Sequence, residues 1–173
     1  MKKYLFIDMD GVIVKWLREN DGTDLFLKAG YFENLPPAKK MLRIVKDILN
    51  SGEYDGAFIL SKLFNKIPNL IDQKNKWINK YAPEIELEHR LYVPEDISKI
   101  DYIKQKFPNW KDSLFILIDD YTPNLIDWEV EENFKAIKVY NTINGRNGRW
   151  EGKPSIDVRD DENDIITYLN SIN

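Results

Sequence analysis

A chain of 173 residues with a net charge of −4 and no cysteine already excludes several classes of function. Without thiols there is no disulfide frame, no thiolate nucleophile and no sulfur-ligated zinc. Acids and bases are mixed along the chain, so the basic face of an extended nucleic-acid footprint is not expected. No run approaches the roughly 18 consecutive apolar residues of a membrane span, and the N-terminus lacks the apolar stretch of a signal peptide. A cytoplasmic location is therefore expected. The length suits one domain, residues 1–173, with a small insertion. Aromatic content of 13% is somewhat high, and several aromatics are expected to line a pocket as well as fill the core.

In chain order, Tyr4 to Ile7 is a short apolar run that reads as a buried strand. It ends in Asp8, Met9, Asp10 and Gly11. Residues 15–35 mix Trp16, Phe26, Tyr31 and Phe32 with charges, and include Gly22 and Gly30, which predicts a small irregular or helical insertion. Pro36 and Pro37 are expected to open a helix. Met41, Leu42, Ile44, Val45, Ile48 and Leu49 give that helix an apolar stripe, and Gly52 closes it. Ala57 to Leu60 is a second apolar run, ending in Ser61. Asn69 to Tyr81 predicts a helix carrying Leu70, Ile71, Trp77 and Ile78, and Glu86 to Val93 a weaker strand. Ile97 to Phe107 reads as a helix. Leu114 to Ile118, the most apolar run, ends in Asp119 and Asp120. A short helix over Leu125 to Asn133, strands over Ala136 to Tyr140 and Ile156 to Val158, and a helix over Glu162 to Leu169 complete the chain. Strands alternating with helices predict an α/β fold with a doubly wound parallel sheet.

Residues at i and i+2 leave a strand on the same side. Asp8 and Asp10 should therefore sit together beyond the first strand, where open parallel sheets place their ligands. Two carboxylates that close repel unless a cation lies between them, and oxygen ligands at a sheet lip suit magnesium. Ser61 and the Asp119–Asp120 pair end two further strands at the same edge. A lysine must then offset the acids and hold an anionic group. Lys99, at the start of a helix, is the candidate, with Lys104 and Lys106 as alternatives. Each residue also has a plainer reading. Asp119 and Asp120 could cap a helix, Ser61 could serve a turn, and Trp16 could simply pack. His89, the single histidine, reads as structural. Asn144 to Arg149 reads as a glycine turn with solvated arginines.

The order of these elements, Asp-Met-Asp-Gly-Val, then strand-Ser, helix-Lys and strand-Asp-Asp, resembles the haloacid dehalogenase superfamily of phosphotransferases. It is most similar to the 5'(3')-deoxyribonucleotidase family, which Tyr31 to Pro37 also resembles at the return from the insertion to the core. The resemblance implies a small cap insertion after the first strand, at about residues 15–35. It implies that Asp8 is the nucleophile that forms an aspartyl-phosphate, and that Asp10 is the general acid and then the base. It implies magnesium held by the Asp8 carboxylate, the Asp10 main-chain carbonyl and Asp120, with Asp119 behind them. Ser61 and Lys99 would bind phosphate oxygens. Trp16 would stack on a nucleotide base, with Phe26, Tyr31 and Phe32 completing an apolar slot.

The expected activity is thus magnesium-dependent hydrolysis of nucleoside monophosphates. Two alternatives stand beside it. One is a phosphatase for another small phosphate ester or a polynucleotide 3'-phosphate. The other is a non-catalytic, magnesium-binding phosphoacceptor module. Receiver domains of that last kind carry their acidic pair before the phosphoacceptor, whereas here the pair comes last, and a phosphoacceptor has no use for an acid at Asp10.

Overall fold

The computed structural model describes residues 1–17, 24–146 and 148–172. Six strands form one sheet: β1 (Lys2–Ile7), β2 (Gly56–Lys62), β3 (Arg90–Val93), β4 (Ser113–Asp119), β5 (Phe134–Tyr140) and β6 (Ser155–Asp157). Their spatial order is β3-β2-β1-β4-β5-β6, and every neighbouring pair is parallel. The helices are α1 (Tyr31–Asn34), α2 (Lys39–Ser51), α3 (Leu70–Tyr81), α4 (Lys99–Lys106), α5 (Thr122–Trp128) and α6 (Glu162–Asn170). No helix among the described residues is long and apolar enough to cross a membrane.

The strand alternation decides what each face packs against. Leu5, Ile7, Ile116 and Ile118 join one core, with Met41, Ile44, Val45 and Ile48 of α2 and Ile165 and Leu169 of α6. Phe6, Phe115, Leu117 and Phe134 face the other way, onto Ile100 and Ile103 of α4 and Leu125 and Trp128 of α5. Every residue of β4 is buried, as a central strand covered on both faces requires. Its neighbour β1 is set with Ile7 opposite Ile118. The chain winds outward in opposite directions from this pair, so their carboxyl ends border the crevice of the sheet.

Some boundaries differ from the expectations. Pro36 and Pro37 precede α2 instead of opening it. A residue before proline is driven to extended backbone, and Leu35 is extended with φ −61° and ψ 140°. The two prolines accordingly run beside residues 13–15: Lys15 N donates to Pro36 O at 2.9 Å, and Ala38 N to Ile13 O at 2.8 Å. Only Arg90–Val93 of the weaker strand is extended, after a single 3₁₀ turn at Leu87–His89. The helix expected over Leu125 to Asn133 starts earlier, at Thr122, with Pro123 in its first turn, and ends at Trp128. Within the insertion the described residues form a 3₁₀ turn at Asp24–Leu27 and the short helix α1. Gly22 and its neighbours 18–23 lie outside the described residues.

Candidate active site

The β1 ladder runs one residue past the strand: Asp8 N donates to Ile118 O at 2.8 Å. The chain then folds back, and the N–H groups of Ile13 and Val14 both donate to Met9 O, at 3.1 and 2.9 Å. Gly11 makes this turn with φ +82°, and a Cβ there would lie 2.3 Å from Asp120 Oδ2. No other residue fits, because the position requires both a left-handed backbone and contact with the end of β4.

Two buried lysines organise the acids. Lys99, 2% exposed at the start of α4, places Nζ 2.6 Å from Asp8 Oδ1 and 2.7 Å from Asp119 Oδ2. Lys74, 0% exposed on α3, donates to Asp10 Oδ2 and, at 2.7 Å, to Ser61 Oγ. Asp119 is fully engaged, since Tyr121 N donates to Oδ1 at 2.8 Å and Asn124 Nδ2 to Oδ2 at 2.9 Å. Asp120 Oδ2 accepts from Asn141 Nδ2 at 2.8 Å. Asp10 Oδ1 is buried without a hydrogen-bond partner.

Burial pushes the Asp8 carboxyl up to about 7. Lys99 opposes that rise, and Asp119 and Asp10 add to it. Burial also lifts Asp120 well above the usual carboxylate range, reinforced by Asp119 and Asp8. Burial acts to lower Lys99, but Asp119 and Asp8 outweigh it and raise the ammonium above its ordinary value. Asp8, Asp119 and Asp120 each offer an oxygen within 4.8 Å of the others. Three crowded carboxylates, of which Asp8 and Asp119 are bonded to Lys99 and Asp8 and Asp120 are held towards the neutral form, are the donor set a hard divalent cation suits. The free ligand atoms belong to Asp8 and Asp120, because both oxygens of Asp119 are committed.

The structure therefore brings Asp8, Asp10, Ser61, Lys99, Asp119 and Asp120 to one edge of the sheet. Lys104 and Lys106 are elsewhere: Lys104 pairs with Glu131 at 2.6 Å, and Lys106 lies over the Tyr102 ring. Ser61 is fully buried, with Lys74 as its donor. A cleft of about 590 Å³ opens over the acids and is lined by Trp16, Phe64, Tyr121 and Ile143, among others. Phe26, Tyr31 and Phe32, expected beside Trp16, do not line it. The turn of α1 sends Phe32 into the core, its ring 5.1 Å from Lys74 Nζ. Tyr31 packs edge-on against Phe32, and Phe26 packs on the same core. The exposed aromatics at the cleft are instead Phe64, 40% exposed, and Tyr121, 61% exposed.

Sequence reasoning missed Lys74, Phe64, Tyr121, Asn141 and Asn144. Lys74 left a signal: Leu70, Lys74 and Ile78 share one helical stripe at i, i+4 and i+8, so a cation interrupts an apolar face. Tyr121 follows the acidic doublet directly, and Phe64 stands three residues after Ser61. Both positions are on the strand-end loops that form a ligand edge.

No family model and no curated protein matches the chain. Among solved structures it is similar to D,D-heptose 1,7-bisphosphate phosphatase from Burkholderia thailandensis. That match has 15% identity and a TM-score of 0.61, and covers 99% of this chain and 100% of the other. It is also similar to a haloacid dehalogenase-like hydrolase from Burkholderia xenovorans LB400, at 10% identity and a TM-score of 0.55, with 99% of each chain covered. At these identities the likeness is one of fold, and it extends over nearly the whole chain.

Proposed function

We propose that this chain, built on the fold of haloacid dehalogenase-like hydrolases, is a magnesium-dependent phosphomonoesterase that acts on nucleoside monophosphates. The observation that carries the reading is the convergence of Asp8, Asp119 and Asp120 around Lys99, with Asp10 beside them on the turn after β1. In this reading Asp8 attacks phosphorus, a bond forms from its carboxylate oxygen, and the bond to the leaving alkoxide breaks. Asp10 gives that alkoxide its proton and then takes one from the water that hydrolyses the aspartyl-phosphate. Lys74 grips Asp10 by Oδ2, leaving the unpartnered Oδ1 as the atom that moves the proton. Lys99 holds Asp8 in place and offers positive charge to the transferring group. The Ser61 hydroxyl, which accepts from Lys74 and so keeps its own proton, would donate it to a phosphoryl oxygen. Magnesium, held by Asp8, Asp120 and the Asp10 main-chain carbonyl, would neutralise phosphoryl charge, where most of the barrier to this chemistry lies.

The cleft favours a planar leaving group. Trp16, Phe64 and Tyr121 supply aromatic faces for stacking, and the segment between β1 and α2 that carries Trp16 acts as a short cap. The lining favours a monophosphate over a bisphosphate. Among the described residues of the lining, the one lysine, Lys62, is spent on the carbonyls of Glu95 and Ile97, at 2.9 and 2.7 Å. The second reading is a phosphatase for another small ester, favoured by the heptose bisphosphate named for the similar Burkholderia enzyme.

Phosphate release with and without magnesium, across nucleoside monophosphates, sugar monophosphates and sugar bisphosphates, separates these readings. The expected result is magnesium-dependent release, fastest from nucleotides. Faster release from sugar bisphosphates would replace the nucleotide reading, and no release from any ester would end both.

A further inference from the structure

The loop after β5 is built around two asparagine side chains whose role the phosphatase reading leaves unassigned. Asn141 Oδ1 accepts from the N–H groups of Ile143 and Asn144, both at 3.2 Å. With Oδ1 committed to two donors, the network fixes which way the amide points. Its NH2 group therefore faces two acceptors, Asp120 Oδ2 and Gly11 O, each at 2.8 Å. Asn144 braces the same corner. Its Nδ2 donates to Val139 O at 2.7 Å and Asp120 O at 3.1 Å, and its Oδ1 accepts from Asn141 N at 3.0 Å. Between the two, Thr142 has φ 76°, a left-handed conformation that is costly for a β-branched residue. Such strain persists where the surroundings over-determine it, most often at functional sites.

We propose that Asn141 is a positioning residue that holds Asp120 in register with the turn at Gly11, so that the acidic cluster is set for a divalent cation. The proposal rests on the reading of Asp8 and Asp120 as cation ligands. The physical need is specific. Asp8 and Asp119 repel the Asp120 carboxylate, and Asp120 is the member of the three closest to solvent. Left alone, it would relax outward. A neutral amide can hold it without adding charge that competes with the cation, and by also holding Gly11 O it joins the ends of β1 and β4. Neighbours that orient ligands in this way have measurable effects on metal affinity.

The test uses Asn141→Ser. Its hydroxyl can still accept from the turn N–H groups, but it supplies no amide to Asp120 and Gly11. Two readouts are taken against added MgCl2: the rise in melting temperature without substrate, and hydrolysis of p-nitrophenyl phosphate. The expected result is a magnesium midpoint raised about tenfold or more in both, with the metal-free protein melting as the wild type does. Thr142→Gly, which relaxes the turn and keeps the amide, is expected to leave the midpoint where the wild type has it. An unchanged midpoint in Asn141→Ser overturns the proposal, as does an equal shift in Thr142→Gly, which would assign the effect to loop shape. The melting readout needs no substrate, so the two readings fail separately. An Asn141-dependent magnesium shift in a protein that cleaves no ester would sink the phosphatase reading and keep this one. A wild type with no magnesium shift would overturn this one.

Discussion

One face of the sheet carries two buried regions of opposite character, only residues apart on the same strands. Lower on β1 and β4, Phe6 and Phe115 stack at 5.8 Å, Phe115 stacks on Phe134 at 4.8 Å, and Trp128 meets Phe134 edge-on at 5.0 Å. Two residues beyond Phe6 on β1, and two beyond Leu117 on β4, the same alternation presents Asp8 and Asp119 to Lys99 of α4. The aromatic layer gains stability from every ring it hides. The layer of charge hides ions at a cost, with an imbalance of acids that a cation would relieve. The lower layer supplies the stability that lets the upper one be held in an arrangement that is poor for folding and, in the proposed function, useful for phosphoryl transfer.

The sharpest way to break this contrast is to change each layer separately. Asp8→Asn is expected to reduce phosphate release to background while the metal-free protein melts at or above the wild-type temperature, because a repelling carboxylate has gone. An active Asp8→Asn enzyme would remove Asp8 as nucleophile. Lys74→Met is expected to lower turnover about a hundredfold, the scale of a misplaced acid–base group. Wild-type turnover in that variant would show that the Lys74 contact with Asp10 is structural only. Phe115→Ala should do the reverse and cost about 3–5 kcal/mol in urea unfolding, with release per folded molecule retained. A smaller loss than Asp8→Asn causes would reverse the division of labour. Trp16→Ala should lower kcat/KM about tenfold for nucleotides, the effect of about 1.4 kcal/mol, and much less for p-nitrophenyl phosphate. Equal losses on both would remove Trp16 from base recognition.

The smallest effect is on pH. Burial lifts Asp8 from 3.8 to about 7 and lifts Asp120 as well, so the folded protein holds these protons more tightly than the unfolded chain. Stability from these groups is therefore present at low pH and is withdrawn as pH rises through that interval. Metal-free protein should melt a few degrees lower at pH 8 than at pH 5.5, and the rise on adding MgCl2 should be larger at pH 8. A magnesium shift independent of pH would contradict the assignment of these carboxylates to the cation.

The strands that end in Asp8, Ser61 and Asp119 were legible because their apolar runs are short and bounded, and a polar strand end in a parallel sheet has one place to go. Lys99 could be chosen because it opens a helix just before the last acidic strand. Lys74 was legible only in part. The apolar residues Leu70, Ile71, Trp77 and Ile78 predict its helix, yet Ile71 is exposed and Lys74 is the buried member. The stripe of Leu70, Lys74 and Ile78 places a cation on an apolar face, but its partner Asp10 lies 64 residues away, so the local pattern does not say what the ammonium meets. The insertion aromatics are legible only in part for a related reason: the rings of Tyr31 and Phe32 do lie beside Trp16, at 6.3 and 6.5 Å, but not on the cleft. Composition shows that Tyr31 and Phe32 are present, but the direction of α1 against α3 decides what they face, and Phe32 N is drawn to Gln73 Oε1 at 3.1 Å. The Asn141–Asn144 corner read as loop because its function lies in contacts with Gly11 and Asp120, both distant in sequence.

The central claim is that Asp8 takes the phosphoryl group. Acid quench of the enzyme during turnover of a ³²P-labelled nucleoside monophosphate, followed by peptide mapping, tests it most directly. The account predicts one label, labile to hydroxylamine, on the peptide that contains Asp8, and none in Asp8→Asn. Label on another residue would contradict it.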